Sequence, residues 1–210
     1  MTRISAPSSG TRLQGEPGDP APAKEATLDK LRRAARGLFV AEGYHATRPQ
    51  DIARAAGVAN GTFYLHFTDK QQAFLDFAEQ AQNELLALMS ERLRGVSGGR
   101  ERWEVTCGAV IDFGSSHPGV LQAAFLDPVF IAPQDDNAWR MYDRLGHLLS
   151  MALQNEKEAR DESGLDFELI SHGVCGMLRH AMIYAGRRRL DRDKIVRDLS
   201  RFIDRGLGKS

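Results

Sequence analysis

The chain carries a helical pattern of apolar and polar positions from about residue 27 to its C-terminus. Apolar residues recur at spacings of three and four, the period of helices that bury one face. No stretch alternates β-branched and polar residues between hairpin turns, as strands do. We therefore predict an all-α fold of nine helices, with approximate ranges 27–42, 49–56, 60–67, 68–93, 101–116, 118–126, 135–153, 166–185 and 191–207.

Residues that favour helix ends support these boundaries. Thr27 is placed to cap the N-terminus of the first helix, and Pro49 suits the first position of the second. Thr68 and Gln71 have the spacing of a capping box, which we expect to open the fourth helix. The first, second and fourth predicted helices therefore have a local start signal as well as a period.

The second and third helices are separated by a tight turn at Gly57, Val58 and Ala59, which is the spacing of a helix-turn-helix. A recognition helix needs small or polar residues at its N-terminal end to read base edges, and flanking groups that hold phosphates. Asn60 has the amide that pairs with an adenine edge, and the Thr62 hydroxyl suits a base or a phosphate. Two phenylalanines four residues apart, Phe63 and Phe67, are predicted to anchor this helix to the core.

The segment from Gly43 to Lys70 resembles the DNA-binding region of TetR-type transcriptional regulators, and the resemblance covers about residues 26–74. It implies a flexible arm at 1–23, which is rich in Ser, Pro and Gly, a helix-turn-helix domain at 24–70, and a ligand-binding and dimerisation domain at 71–210. It also implies that double-stranded DNA is contacted by nine residues, Thr47, Arg48, Asn60, Gly61, Thr62, Tyr64, Leu65, His66 and Lys70.

The chain departs from the family pattern at two capping positions. Ala59 stands where Ser or Thr is usual, and Arg48 stands where a second Thr is usual. Thr47 can cap the second helix through a box with Gln50, whereas Arg48 can instead supply a charged contact to a phosphate. Which of these two residues caps the helix is left open by the sequence.

Charge and composition give further, weaker support to the predicted DNA-binding part and to a globular protein. Residues 24–70 hold eight basic and five acidic residues, and residues 71–210 hold 18 basic and 21 acidic, so positive charge is concentrated in the part expected to face DNA. With 42% hydrophobic and 27% charged residues, no long uncharged stretch and no secretory signal, we expect a cytoplasmic globular protein without a membrane partner. The two cysteines are far apart, which predicts reduced thiols.

The cluster of Asp112, Ser115, Ser116 and His117 contains a nucleophile, a base and an acid, as a hydrolase site does. The segment is an ordinary helix end, and the chain has no GxSxG elbow. The six histidines show no close metal-ligand spacing. We predict no enzyme activity, no metal and no cofactor.

The C-terminal part is expected to bind a small-molecule effector and a second copy of the chain. Large apolar side chains predicted to line an effector pocket are Phe77, Trp103, Phe113, Phe125, Phe130, Trp139, Tyr142 and Met177. In TetR-type proteins the last two helices form a four-helix dimer interface, which implies that role here for Gly173, Gly176, Ile195, Leu199, Phe202 and Ile203.

The sequence thus predicts a homodimeric, ligand-responsive regulator, a repressor that binds an inverted-repeat operator and is released by a hydrophobic or amphipathic effector. Two alternatives stay open. One is an α-helical small-molecule-binding protein or enzyme whose helix-turn-helix is architectural, and the other is an activator.

Overall fold

The computed structural model describes residues 20–125, 134, 136–157 and 166–207. Within these ranges the chain forms nine helices and no strand, which confirms the all-α prediction. The predictions for residues 1–19 and for Phe130 lie outside the described residues. The helices are α1 (Pro20–Ala46), α2 (Pro49–Ala55), α3 (Asn60–Tyr64), α4 (Lys70–Arg92), α5 (Gly99–Ser116), α6 (Val120–Phe125), α7 (Asp136–Lys157), α8 (Phe167–Arg188) and α9 (Arg192–Leu207).

The first helix begins at Pro20, so its predicted start at Thr27 is wrong. Proline suits the first turn of a helix, and the alanines that follow have the highest helix propensity. Thr27 therefore lies inside α1, where its hydroxyl donates to the Ala23 carbonyl at 2.8 Å instead of capping. At the other end, Gly43 leaves helical geometry with φ 78° and ψ 169°, a conformation that glycine adopts without strain.

Aromatic side chains hold the first four helices together. The rings of Phe39 in α1 and Phe74 in α4 meet edge to face, with centroids 5.0 Å apart. Phe63 in α3 is fully buried, and its ring lies 5.4 Å from that of Phe67. Ile52 of α2 joins the same core cluster. The predicted anchoring role of the two phenylalanines is therefore confirmed.

The fourth helix begins one residue later than the capping box predicted. Asp69 is its N-cap, and the Asp69 carboxylate accepts a hydrogen bond from the Gln72 backbone N–H at 2.8 Å. The Thr68 backbone N–H donates to the side-chain oxygen of Gln72 at 2.5 Å. Gln72 thus has the role in the capping box that was predicted for Gln71. The reason is that Asp69 is the N-cap, and an N-cap carboxylate accepts from the backbone amide three residues later.

The C-terminal helices pack in two layers, with α9 along α5 and α7 along α8. Trp103 and Cys107 of α5 form one buried cluster with Leu178 of α8 and Ile203 of α9. The α7–α8 crossing is close because of Gly146 in α7, where a Cβ would lie 2.6 Å from the His172 imidazole of α8. None of the described helices has the length and hydropathy needed to cross a membrane.

An ion-pair network ties three of these helices together. The Asp112 carboxylate of α5 accepts from Arg92 at the end of α4 at 2.6 Å. It also accepts two hydrogen bonds from Arg192 at the start of α9, at 2.6 and 2.9 Å. The neighbouring Ser115 and Ser116 hydroxyls donate to carbonyls one turn back in α5. Asp112 therefore links α4, α5 and α9, whereas the two serine hydroxyls bond within α5.

Candidate nucleic-acid interface and effector cavity

The turn between α2 and α3 depends on Gly57, whose φ of 69° is rarely adopted by other residues. The Val58 N–H closes the turn onto the Ala53 carbonyl at 3.0 Å. Ala59 is the N-cap of α3 and makes no side-chain cap, as expected for alanine. The turn thus orients α3 while its N-terminal end stays open.

The outer face of α3 carries the predicted base-reading residues. Asn60 and Gly61 are exposed, and Thr62 is half-buried. At the C-terminal end, Tyr64 and Leu65 are 49% and 74% exposed. With Phe63 pointing into the core, this short helix presents its remaining side chains outward. His66, which follows directly, is half-buried.

Arg48, and not Thr47, occupies the N-cap position of α2, although neither side chain caps the helix. Thr47 is fully buried, and its hydroxyl donates to the Gly43 carbonyl at 2.8 Å, so it ties the end of α1 instead. Arg48 occupies the N-cap position in an extended conformation without a side-chain cap. Its exposed guanidinium is consequently available to a phosphate, whereas the Thr47 hydroxyl faces away from solvent.

Lys70 has an unexpected environment for a residue predicted to contact DNA. Its ammonium donates to the Tyr44 carbonyl at 2.8 Å and lies 4.2 Å from the centre of the Tyr44 ring. Burial, with Arg48 nearby, lowers the pKa of Lys70. The side chain therefore fastens the start of α4 to the end of α1, and its contact with DNA stays a prediction.

Sequence reasoning missed the partners of the basic residues on α1. Arg32 donates to both carboxylate oxygens of Asp76 in α4, at 2.7 and 3.1 Å. One turn further, Arg36 grips Glu84 in the same way, at 2.5 and 2.9 Å. These fork-shaped pairs fix the orientation of α1 on α4. No local signal identifies them, because the partners lie 44 and 48 residues apart.

A cavity of about 1100 Å³ lies among α4, α5, α6, α7, α8 and the start of α9. This is slightly above the usual range for small-molecule sites, about 300–1,000 Å³. Of the predicted pocket residues, Trp103, Phe125, Trp139 and Tyr142 line it. Apolar lining residues that the sequence prediction omitted include Leu86, Val110, Leu121, Leu145 and Met182.

The other predicted pocket residues have a different place. Phe77 and Phe113 are buried in the main core cluster, and Met177 packs against the cluster around Trp103. None of these three is among the described lining residues of the cavity. Phe130 lies outside the described residues. Aromatic and methionine side chains serve cores and pockets alike, so their identity alone does not separate the two.

The polar groups on the cavity wall are basic or neutral. Four arginines contribute to the described lining, and no carboxylate does; they are Arg102, Arg144, Arg179 and Arg189. The Tyr142 hydroxyl donates to the Phe125 carbonyl at 3.0 Å and closes α7 onto α6. An apolar cavity with cationic groups at its wall fits an amphipathic compound that carries negative charge.

The residues predicted for the dimer interface divide between core and surface. Ile195 and Ile203 are buried within the protomer against α5, and Leu199 packs beside them. Two glycines and one aromatic lie on the surface, namely Gly173, Gly176 and Phe202. Among the described residues, no group outside the local helix backbone lies within 4 Å of a Cβ placed on either glycine. The inward-facing apolar residues of α9 are thus covered by the same chain, whereas Phe202 on its outer face is exposed.

Residues 31–76 match the family model described as bacterial regulatory proteins, tetR family. The transcriptional activator FasR of Mycolicibacterium smegmatis is 32% identical over 84 residues, which cover 40% of this chain and 38% of that protein. The fatty acid metabolism regulator protein of Bacillus subtilis is 29% identical over 69 residues, 33% of this chain and 36% of its own length. The chain therefore matches little more than a third of each of these curated relatives.

Solved structures match over most of the chain. The fatty acid degradation regulator FadR from Bacillus halodurans superposes with a TM-score of 0.72 at 19% identity, covering 85% of this chain and 94% of that one. FadR from Bacillus subtilis in complex with stearoyl-CoA gives a TM-score of 0.69 at 17% identity, covering 85% and 98%. At these identities the likeness establishes the fold, including the C-terminal helices that the family model does not reach.

Proposed function

We propose that this chain, whose helix-turn-helix region belongs to the tetR family of bacterial regulatory proteins, is a ligand-responsive transcriptional repressor without catalytic activity. The observation that carries the proposal is the outer face of α3. Asn60, Tyr64 and Leu65 are exposed there although the helix is anchored by the fully buried Phe63. Rigid anchoring with an open outer face is what insertion into a major groove requires.

The functional unit in this proposal is a homodimer that binds an inverted repeat. Two half-sites about 34 Å apart, or slightly more, would receive the two copies of α3. The open surface of α8 and α9 around Gly173 and Phe202 supports the association of two copies. Gly173→Trp and Phe202→Asp alter only this exposed surface, so both variants should sediment as folded monomers with weak operator affinity. A dimer that persisted in both variants would place the interface elsewhere.

The effector in this proposal is a fatty acyl compound. The cavity is largely apolar with arginines at its wall, and such a surface suits a long hydrocarbon chain with an acidic end. Two of the similar proteins are named for fatty acid metabolism or degradation, and one solved neighbour holds stearoyl-CoA. Cavity chemistry and these neighbours support the same ligand class.

Signal transmission would run through α4. Its residues Leu85, Leu86 and Met89 contribute to the cavity wall. The same helix is fastened to α1 at its start by Lys70 and further along by the Arg32–Asp76 and Arg36–Glu84 pairs. A displacement of α4 by the acyl chain would therefore move α1 and the helix-turn-helix with it. The effector and the operator then weaken each other's binding equally, typically by about 1–3 kcal/mol.

The test begins with selection of duplexes from a random pool by the full-length protein, followed by anisotropy titration of the selected site. We expect an inverted repeat, a binding constant that falls steeply with salt, and loss of binding in Asn60→Ala, whose exposed side chain contributes little to folding. If no sequence is enriched and binding is independent of salt, the helix-turn-helix is architectural and the regulatory function is wrong.

The effector is tested with saturated fatty acids and acyl-CoA esters of increasing chain length. Each additional methylene that enters the cavity should contribute about 0.8 kcal/mol, or roughly fourfold in affinity, until the cavity is filled. The same compounds should release the selected operator. DNA binding that no acyl compound changes would remove this ligand class and leave the DNA-binding function intact.

A further inference from the structure

The cavity wall reaches the protein surface beside the junction of α8 and α9, where its lining residues are exposed. Gly186, Arg189 and Leu190 contribute to its wall there. Arg187 and Arg188 lie directly before, in the last turn of α8, and all three arginines are exposed. The proposed function assigns no role to this basic run.

These three arginines have no carboxylate partner among the described residues. The contrast with Arg192, three residues after Arg189, is clear, because its guanidinium is held by Asp112 and by Asp193. Helix ends favour basic residues, yet the effect of the helix dipole is small and does not need three adjacent cations. Unpaired positive charge is therefore concentrated at the mouth of an apolar cavity.

The backbone of Arg189 is also unusual. Its φ of 51° and ψ of 46° are left-handed, and it is the one non-glycine residue with positive φ in the part of the chain that the structure describes. Glycine normally occupies this position after a helix, since a side chain there is strained. Strain retained at a ligand-facing residue is a common mark of function. Here the strained residue supplies a guanidinium to the cavity wall.

We infer that Arg187, Arg188 and Arg189 bind the phosphate of an amphipathic effector whose acyl chain fills the cavity. This inference rests on the acyl-binding function proposed above and adds a head-group specificity. A guanidinium presents a planar fork of donors that matches phosphate oxygens in pairs. The absence of carboxylates from the described cavity lining leaves nothing to oppose a phosphate there. The protein then distinguishes phosphate-bearing acyl compounds from free fatty acids.

The test measures binding to the full-length protein by its tryptophan fluorescence, since Trp103 and Trp139 both line the cavity. The ligands are palmitate, palmitoyl-CoA and a palmitoyl lysophosphatidate. The test variant combines Arg187→Gln, Arg188→Gln and Arg189→Gly, and the last change also relieves the left-handed strain. A control variant removes the same charge from exposed positions of α1, with the changes Lys24→Gln, Lys30→Gln and Arg33→Gln.

We expect the wild-type protein to bind at least one phosphate-bearing ligand about tenfold or more tightly than palmitate. The test variant should lose this preference while its affinity for palmitate stays within about twofold of the wild-type value, and the control variant should keep it. If the test variant no longer prefers palmitoyl-CoA over palmitate, the phosphate is that of CoA. If it no longer prefers the lysophosphatidate, the phosphate is that of a lipid head group.

Two results overturn the inference in different ways. If palmitate binds as tightly as both phosphate-bearing ligands, or if the test variant keeps the preference, the arginines do not recognise phosphate although the acyl-binding function stands. If none of the three ligands binds the wild-type protein, the proposed effector class is wrong and the head-group site is lost with it. Equal losses in test and control variants indicate only general charge attraction, which also contradicts the site.

Discussion

Replacement of Asp112 by Asn should destabilise the protein measurably, because this carboxylate is shared by helices that are distant in the sequence. It accepts from Arg92 at the end of α4 and from Arg192 at the start of α9. Asparagine keeps the shape of the side chain and removes its charge. The change therefore tests the ion pairs without creating a cavity in the core.

The magnitude follows from the pKa. Hydrogen bonds from Arg192, and then from Arg92, lower the pKa of Asp112 from 3.8 to about 2. Each pKa unit corresponds to about 1.4 kcal/mol, so the lowering from 3.8 to about 2 contributes at most about 2–3 kcal/mol to the free energy of unfolding at neutral pH. The carboxylate is 28% exposed and solvent screens part of this energy, so we expect a loss of about 1–2 kcal/mol.

The pH dependence has a definite sign. Because the folded pKa lies below the unfolded value of 3.8, the stabilisation is present above that value and is lost as the pH falls toward 2. Urea unfolding of wild type and Asp112→Asn should therefore differ by a constant amount at neutral pH, and the difference should shrink below a pH of about 4. All measurements are made at one protein concentration, since a dimer gains stability with concentration.

Glu104→Gln is the matched control on the same helix. Glu104 pairs with Arg100 one turn away at 2.8 Å, but both side chains are at least 40% exposed. Such a pair contributes about 0.3–0.5 kcal/mol. If Asp112→Asn costs no more than Glu104→Gln, or if its cost is the same at acid and neutral pH, the network does not stabilise the fold as argued.

Three further predictions concern single side chains. Phe63→Ala should lower the free energy of unfolding by about 3–5 kcal/mol in urea, whereas Leu65→Ala should change it by less than about 0.5 kcal/mol and still weaken operator binding; equal costs would contradict the assignment of buried and outer faces of α3. Arg48→Ala should reduce the log–log salt slope of operator binding by about 2 per dimer, whereas Lys70→Ala should reduce it by less than about 1, because the Lys70 ammonium is held by a carbonyl. A larger change for Lys70→Ala would restore it as a phosphate contact. Burial raises the pKa of Cys175 to about 11, so native protein at a pH of about 8 should react slowly with a thiol reagent, and reaction as fast as in urea would refute the burial.

Local sequence was sufficient for the helical order of the fold and for the DNA-binding motif. Pro49 and Gly57 mark the limits of α2 because each acts on its own backbone, through a fixed φ or freedom at positive φ. The sequence predicts Phe63 in the core and Asn60 at the open end of α3, because the position of each residue within one turn of the helix determines which side it faces. Such signals depend on neighbours within a few residues, so they can be read without a tertiary structure.

Contacts between distant segments required the tertiary structure. Arg32 is basic and lies on a polar face, and nothing near it in the chain indicates that Asp76 neutralises it. Lys70 matched a DNA-contacting position, but the end of α1 lies close enough to take its ammonium.

The same limit separates residues that share a pattern. Phe113 and Trp103 are both aromatic residues of α5 that fit its apolar pattern, yet Phe113 is buried in the main core and Trp103 lines the cavity. Ile203 and Phe202 are adjacent in α9, and only Ile203 is covered by α5. A helical period determines which face of a helix is apolar. What covers that face depends on how the other helices are arranged, and this is a property of the assembled core.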